Sequence, residues 1–433
     1  CVPLLHGSQG CSTYMRRYLI SHFKEPVDIA SSNFTEETAV FGGGANLKLA
    51  IENVARQYAP SMIGIATTCL SETIGDDVQL ILNSMDNTIQ GTALVHVSTP
   101  SYTGTHVDGF HGAVAAVVDR FNPVGKRIVY RPKKMKKINL FPGMLSNEDL
   151  RHLKDIFEDF HTPVTILPDY SERLEGPSWQ EYQAIQKGGT PISAIEKMNV
   201  AVNSMEFGAV LALTAEMGLE TAGDILHKRF GIPCTRLPIP IGVKATDHFL
   251  DTLSRISGRP VPERYRKEKW RLVDAYVDGN KYVSKKRALI YGEEDFVVAM
   301  AGFLAEVGII PVLCASGGKS KTFKQALEQT LPDTLIDQVI IQNDMDFTCM
   351  EETAAAMPDD QKPELIIGNS KGYAMARRLN IPLVRVGFPI HDRVGGARIL
   401  HVGYKGALQL FDTIVNTILT AKQTESKIGY SYM

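Results

Sequence analysis

No CxxC pair occurs among the six cysteines of this chain, which stand at positions 1, 11, 69, 234, 314 and 349. That scatter excludes a disulfide scaffold and a zinc ribbon or finger, both of which need closely spaced sulfurs, and it fits a reducing cytoplasm. Charge of one sign is lacking too. With 46 Lys and Arg against 48 Asp and Glu, the formal net charge is −2, so no global field draws the protein to nucleic acid or to an anionic membrane. The one dense basic run, KRIVYRPKKMKK at 126–137, reads as a solvated linker edge. No apolar run is long enough to span a bilayer, and no basic region precedes a hydrophobic signal core at the start. HExxH, GxSxG and EF-hand patterns are absent from the sequence, which removes the strongest support for the common hydrolase classes. VLCASGGKSKTF has the flavour of a phosphate loop, but the GxxxxGK[ST] spacing puts Leu313 where a glycine is required. Gly42, Gly43 and Gly44 lack the GxGxxG spacing and read as a turn after Phe41.

What is present is a soluble α/β pattern. The chain has 433 residues, 44% of them hydrophobic and 22% charged, an ordinary globular balance at a length that exceeds one core. Val- and Ile-rich runs end repeatedly in Gly, Ser, Thr or Asn and give way to helix-period segments: SMIGIATT, ALVHVSTP, KRALIYG, IIPVLCAS, DQVIIQN and PELIIGNS. This is the rhythm of parallel strands with crossover helices. It breaks around 124–137 and 256–270, so the expected architecture is three doubly wound, Rossmann-like α/β domains with mostly parallel sheets, at 1–134, 135–265 and 266–433. An irregular excursion at 169–198 lies inside the second. The chain opens without Met on a strand and loop, which predicts further sequence upstream.

Two thiols fall where a strand hands over to a helix. VPLLHGSQGC runs from a short strand through a Gly-bounded turn to Cys11, and STYMRRYLISHF then opens a helix with Ser and Thr. MIGIATTC ends a second strand at Cys69, and LSETIGDD opens the next helix. In an open parallel sheet all such junctions lie on the carboxyl edge, where ligands collect, so the two cysteines can converge. A thiolate near a helix N-terminus suits a soft metal or an iron-sulfur cluster. Gly7 and Gly10 would let the backbone approach a bulky group closely. Two buried free cysteines fit the same spacing equally well. Two sulfurs do not close a four-iron cluster, so further ligands would come from upstream or from another chain. VSTPSYTGTH presents Ser101 and Thr105 at a third strand end, as edge-facing hydroxyls or as turn residues. Cys1 reads as structural, and Cys234, Cys314 and Cys349 as core or near-surface thiols.

A series of motifs in order along nearly the whole chain carries a resemblance: HGSQGC, SHFKEP, TEETAVFGG, TTCLSETIGDD, TPSYTGTHVDGF, PIGVKATDHFL, VGFPIHDRVG and VGYKGA. Together they resemble the β-type subunit family of nitrogenase component 1, with its cofactor-assembly scaffold relatives and nitrogenase-like reductases. The resemblance implies an α2β2 assembly with a homologous α-type subunit and an iron-sulfur cluster at each α/β interface. A separate ATP-hydrolysing iron protein would charge that cluster. Cys11 and Cys69 match two of three β-side ligands of the interfacial P-cluster, and the third family cysteine lies upstream of HGSQGC. Thr105 stands where many β subunits carry a serine able to ligate the oxidised cluster. Phe41 matches a position at the iron-protein docking surface, its alternative being a buried aromatic in a turn. The active-site cofactor belongs to the α-type chain, so no catalytic residue or substrate pocket is expected here.

Three functions follow as expectations. The first is an electron-relay subunit holding an eight-iron P-type cluster. The second is the β-like half of the cofactor-assembly scaffold, holding a four-iron cluster; a relative reducing other small substrates belongs beside these two. The third is a cluster-free α/β binding protein. Thr105 and the modest length lean toward the scaffold, and retention of Cys69 leans toward the relay.

Overall fold

Thirteen strands form three parallel sheets in the computed structural model, which describes residues 1–85, 89, 91–125, 136–175, 185 and 188–427. Most of the basic run at 126–137 and the centre of the 169–198 excursion lie outside the described residues. The first sheet holds β1 (Val2–His6), β2 (Ala30–Ser31), β3 (Met62–Thr67) and β4 (Ala93–Val97) in the order β2-β1-β3-β4. The second holds β5 (Ile138–Phe141), β6 (Val164–Ile166), β7 (Asn203–Phe207) and β8 (Cys234–Leu237) in the order β6-β5-β7-β8. The third holds β9 (Arg287–Gly292), β10 (Ile310–Ser316), β11 (Ile340–Gln342), β12 (Leu365–Gly368) and β13 (Leu383–Arg385) in the order β11-β10-β9-β12-β13.

All strand pairings among the described residues are parallel. The doubly wound α/β class expected from the strand–helix rhythm is therefore the observed one. Parallel strands need crossovers that cover both faces, and β5 and β12 are buried at every position as that demands. In each sheet the winding reverses once, between β1 and β3, β5 and β7, and β9 and β12. Such reversals splay the connecting loops apart and leave a crevice at the strands' carboxyl ends.

Leu4, Leu47, Ile51, Ile63 and Ile65 are fully buried in the first sheet's core, each contributing roughly 2 kcal/mol by leaving water. Two features cross the seams read from the sequence. The helix His106–Phe121 packs Val114, Ala115 and Val118 against Phe141, Ala222 and Ile225 of the second sheet's layer. One continuous apolar cluster also joins the second and third sheets through Phe249, Phe303 and Phe411. A division between 265 and 266 passes through the helix Glu263–Val283. Only 258–262 interrupts helix there; the charged stretch ERYRKEKW is the first two turns of a helix that buries Tyr265 and, further along, Leu272. No described helix is long and apolar enough to cross a membrane.

Candidate metal centre at the first switch point

The last residues of β1 and β3, His6 and Thr67, are register partners across the point where the first sheet reverses. The loops that leave them are locked together. Thr68 donates from its backbone N–H and from its hydroxyl to the His6 carbonyl, both at 3.1 Å. A Cβ at Gly7 would lie 2.0 Å from Thr68 Oγ1, so only glycine lets the two loops touch. Gly7→Ala is expected to cost about 1–3 kcal/mol by overpacking, seen as a lowered urea midpoint, while Gly10→Ala, with only the Ser8 hydroxyl 3.6 Å away, should leave the midpoint nearly unchanged.

Cys11 sits in the first turn of the helix Gln9–Phe23 and is exposed. The helix starts three residues earlier than the Ser12-Thr13 pair suggested, with Ser8 as its cap, because Ser8 is extended at φ −75°, ψ 153°. The Ser8 hydroxyl is 3.9 Å from Cys11 Sγ.

Cys69 is the first residue of the helix Cys69–Ile74, half-buried. Its sulfur is surrounded by donors. Ser101 Oγ is 2.9 Å away and the Ser101 N–H donates at 3.2 Å. These bonds, the Ser101 hydroxyl foremost, hold the Cys69 thiol below its ordinary pKa, against a smaller opposing effect of burial. The loop after β4 that delivers Ser101 is pinned in turn. Thr99 donates from its N–H to Thr67 Oγ1 at 3.0 Å and from its hydroxyl to the Thr67 carbonyl at 2.8 Å. Ser98 donates to Glu72 Oε1 at 2.6 Å, and Thr67 reaches the same oxygen. Hydrogen bonds from Ser98 and Thr67 keep the Glu72 carboxyl low.

Thr105 lies further along that loop as the N-cap of the helix His106–Phe121. Its hydroxyl oxygen accepts from the Asp108 N–H at 3.3 Å, and its own N–H donates to Asp108 Oδ2 at 2.7 Å. The structure thus brings Ser101, not Thr105, onto the Cys69 sulfur. The cue was available in VSTPSYTGTH, since Ser101 is the first hydroxyl after Pro100, but its placement depends on the Thr67–Thr99 bonds, which link residues distant in sequence.

Phe41 ends the helix Glu36–Phe41 and is 84% exposed, beside Val40 at 73%, so the alternative of a buried turn aromatic is excluded. Gly42 and Gly43 end that helix and begin the next. Asp76 ties this region to the cysteine loops. The Gly43 N–H donates to both Asp76 oxygens, at 3.1 and 3.0 Å, and His6 Nε2 lies 3.1 Å from Asp76 Oδ2. Burial, opposed by Asp76, lowers the pKa of the fully buried His6, whose Nδ1 lies 2.9 Å from Ser32 Oγ. This tie explains why the segment 70–85 is two helices, Cys69–Ile74 and Val78–Met85. Gly75 turns left-handed at φ +81° and swings Asp76 inward.

Cys11 and Cys69 therefore share one edge with exposed Tyr14, Met15, Leu70 and Tyr102, an apolar and aromatic rim around two soft donors. No cluster of three or more His, Cys, Asp or Glu able to hold a metal occurs among the described residues. Two sulfurs do not complete the ligand set of an iron-sulfur cluster, and this edge fits such a group only with further ligands from upstream sequence or from another chain. Of the remaining thiols, burial pushes Cys314 up to about 12, and Cys1 and Cys349 are exposed away from such a donor set.

Comparison with known proteins agrees along the whole chain. The family model for nitrogenase component 1 type oxidoreductases matches residues 1–419. The nitrogenase molybdenum-iron protein beta chain of Clostridium pasteurianum is 35% identical over 428 residues, covering 98% of this chain and 90% of that one. The corresponding chain of Azotobacter vinelandii is 33% identical, covering 98% and 81%. A solved structure described as "Nitrogenase Cp1 at pH 6.5" superposes with a TM-score of 0.91 at 34% identity, covering 100% of this chain and 92% of that chain. A second, "Nitrogenase Cp1 at pH 5", shares the fold at a TM-score of 0.68 and 17% identity, covering 99% and 86%. On the strength of this full-length kinship the chain belongs to the nitrogenase component 1 type oxidoreductases, in the family of the molybdenum-iron protein beta chains.

Proposed function

We propose that this chain is the electron-relay β-type subunit of a nitrogenase-type component 1, and that Cys11 and Cys69 are its ligands to an interfacial iron-sulfur cluster of the P type. The observation that carries this is the placement of two thiols on one switch-point edge, one of them ringed by donors that favour its thiolate. When bound, such a cluster supplies one-electron redox chemistry. The chain's residues place and shield it. Cys11 and Cys69 hold iron through sulfur, and the Gly7–Thr68 contact fixes the two loops relative to one another. The rim of Tyr14, Met15, Leu70 and Tyr102 is covered by the homologous α-type subunit, which brings ligands of its own and carries the active-site cofactor. Thr105 stays a candidate hydroxyl ligand, one helix cap away. Phe41 and Val40 form an exposed apolar knob for the ATP-hydrolysing iron protein, with Asp76 bracing its base.

The test is anaerobic copurification with the α-type subunit, followed by iron counting and electron paramagnetic resonance of the interfacial site. Eight irons per interface are expected. Four irons there favour the scaffold function, and a colourless, iron-free complex overturns both.

A further inference from the structure

We propose that the helix Glu294–Glu306, which follows β9, is a two-point latch: Asp295 and Glu306 seat the third sheet's layer on the second by capping two helices that have no cap of their own. The latch is independent of any cluster the chain holds.

A helix leaves its first backbone N–H groups without an intrahelical acceptor, and a Ser, Thr, Asp or Asn just before it normally supplies one. In the second sheet's layer, Asn147–Asp159 and Ala222–Phe230 are capped in that way, by Ser146 and Thr221. Ala209–Glu216 and Gly242–Ser257 are not. Their cap positions hold Gly208 and Ile241, and neither makes a side-chain bond to the helix. The acceptors come instead from the third sheet's layer. Asp295 Oδ1 accepts from the Val210 N–H at 2.6 Å, and the Leu211 N–H reaches its two oxygens at 3.4 and 3.3 Å. Glu306 takes the other helix with both oxygens. Its Oε1 accepts from the Val243 N–H at 2.7 Å and its Oε2 from the Lys244 N–H at 2.9 Å. The Tyr276 hydroxyl donates to the same Oε1 at 2.9 Å.

The spacing makes one device of the two contacts. Asp295 and Glu306 stand eleven positions, or about three turns, apart and so share one face of a single helix. Between them that helix buries Phe303 in the apolar cluster that also holds Leu211 and Phe249 of the two capped helices. The close approach is built into the receiving side. Gly208 stands at φ +146°, where a Cβ would lie 2.4 Å from Asp295 Oδ2, and Gly242 at φ +87°, where a Cβ would lie 3.0 Å from Glu306 Oε1. A carboxylate at a helix N-terminus also meets the favourable end of the helix dipole. While one point holds, the helix stays seated and keeps the other within reach, so opening requires the loss of both.

The test is hydrogen exchange, read by mass spectrometry on the full chain as wild type, Glu306→Ala, Glu306→Gln, Asp295→Asn and the double variant Asp295→Asn with Glu306→Ala. In Glu306→Ala the first turn of 242–257 should exchange about tenfold faster, the size of a lost cap. Glu306→Gln, which keeps an acceptor oxygen, should return most of that protection. Asp295→Asn drops the charge and keeps one acceptor, and should quicken exchange in 209–216 about threefold. The double variant should quicken both segments by more than the product of the single effects, because neither point then holds the seat. A double-variant effect equal to that product overturns the latch and leaves two independent caps. Unchanged exchange at 242–257 in Glu306→Ala overturns it too. Lost protection across β9 and β12 in any variant overturns it as well, because the third sheet is then unfolding and not unlatching.

Discussion

Cys69→Ala, in the complex with the α-type subunit, is expected to lose most of the interfacial iron and to lower electron delivery at least about 100-fold. Disturbing even a supporting group of a metal site typically costs 10- to 100-fold in affinity or activity, and here the ligand itself is removed. The substitution also leaves three donors without their acceptor. The Ser101 hydroxyl and the backbone N–H groups of Ser101 and Tyr102 are all aimed at the sulfur, and in a covered interface each unmade bond costs roughly 1–3 kcal/mol. The isolated chain should tolerate the change, because the half-buried sulfur is exposed to water, which satisfies the freed donors. Loss of iron with an unchanged urea midpoint of the separated subunit is thus the signature of a ligand. A fall in the midpoint with iron retained would identify a packing thiol instead and reverse the assignment. Cys11→Ala should also lower iron content, with a smaller effect on packing, since Cys11 is exposed and has only the distant Ser8 hydroxyl beside it.

How much of this was legible beforehand depends on whether a feature is local. Several strands were, because they fill a buried layer with Val, Ile and Leu and stop at a polar or glycine residue, as in LIIG of β12, whereas β2 (AS), β7 (NSMEF) and β8 (CTRL) carry no such run. The placement of Cys11 and Cys69 on one sheet edge followed from topology alone, since strand ends of a parallel sheet share an edge. The break between Cys69–Ile74 and Val78–Met85 has its signal in Gly75, which caps the first helix in the left-handed region. What was not legible is the anchoring of Asp76 after it, because its partners His6 and Gly43 lie 70 and 33 positions away. Which of Ser101 and Thr105 meets the Cys69 sulfur was open for the same reason, since the Thr99–Thr67 bonds that place the loop link residues 32 positions apart. The exposure of Phe41 was open too, because an aromatic before three glycines serves equally as a buried staple or as a knob.

A fall in pH should loosen the helix that carries Cys11, and His22 is the group that makes it so. This helix begins with the cysteine's turn and ends against the third sheet's loops. The Ile390 N–H donates to His22 Nδ1 at 2.9 Å, and the His22 ring sits edge-on to Phe23 and Phe388, with centroids 4.7 and 4.9 Å apart. Lys24 Nζ donates to the His391 carbonyl at 3.0 Å, and Lys371 Nζ to the Tyr18 hydroxyl at 2.8 Å. Because Nδ1 accepts, the ring is neutral with its proton on Nε2. Burial, reinforced by Lys24 and His401, lowers its pKa to about 4. The folded state therefore binds fewer protons than the unfolded chain between the ordinary value near 6.5 and 4. Stability from His22 is complete above about pH 6.5 and is lost as pH falls toward 4, by about 3 kcal/mol in all. Between pH 7.5 and 4.5 the wild-type chain should lose about 2.5 kcal/mol that His22→Gln does not lose, since glutamine accepts from the Ile390 N–H and does not titrate. Urea unfolding of both proteins at the two pH values measures this difference. His111, also lowered to about 4 by burial, contributes equally to both and cancels. Parallel pH dependences in the two proteins would show that Ile390 and the aromatic pair hold the helix whether or not the ring is charged.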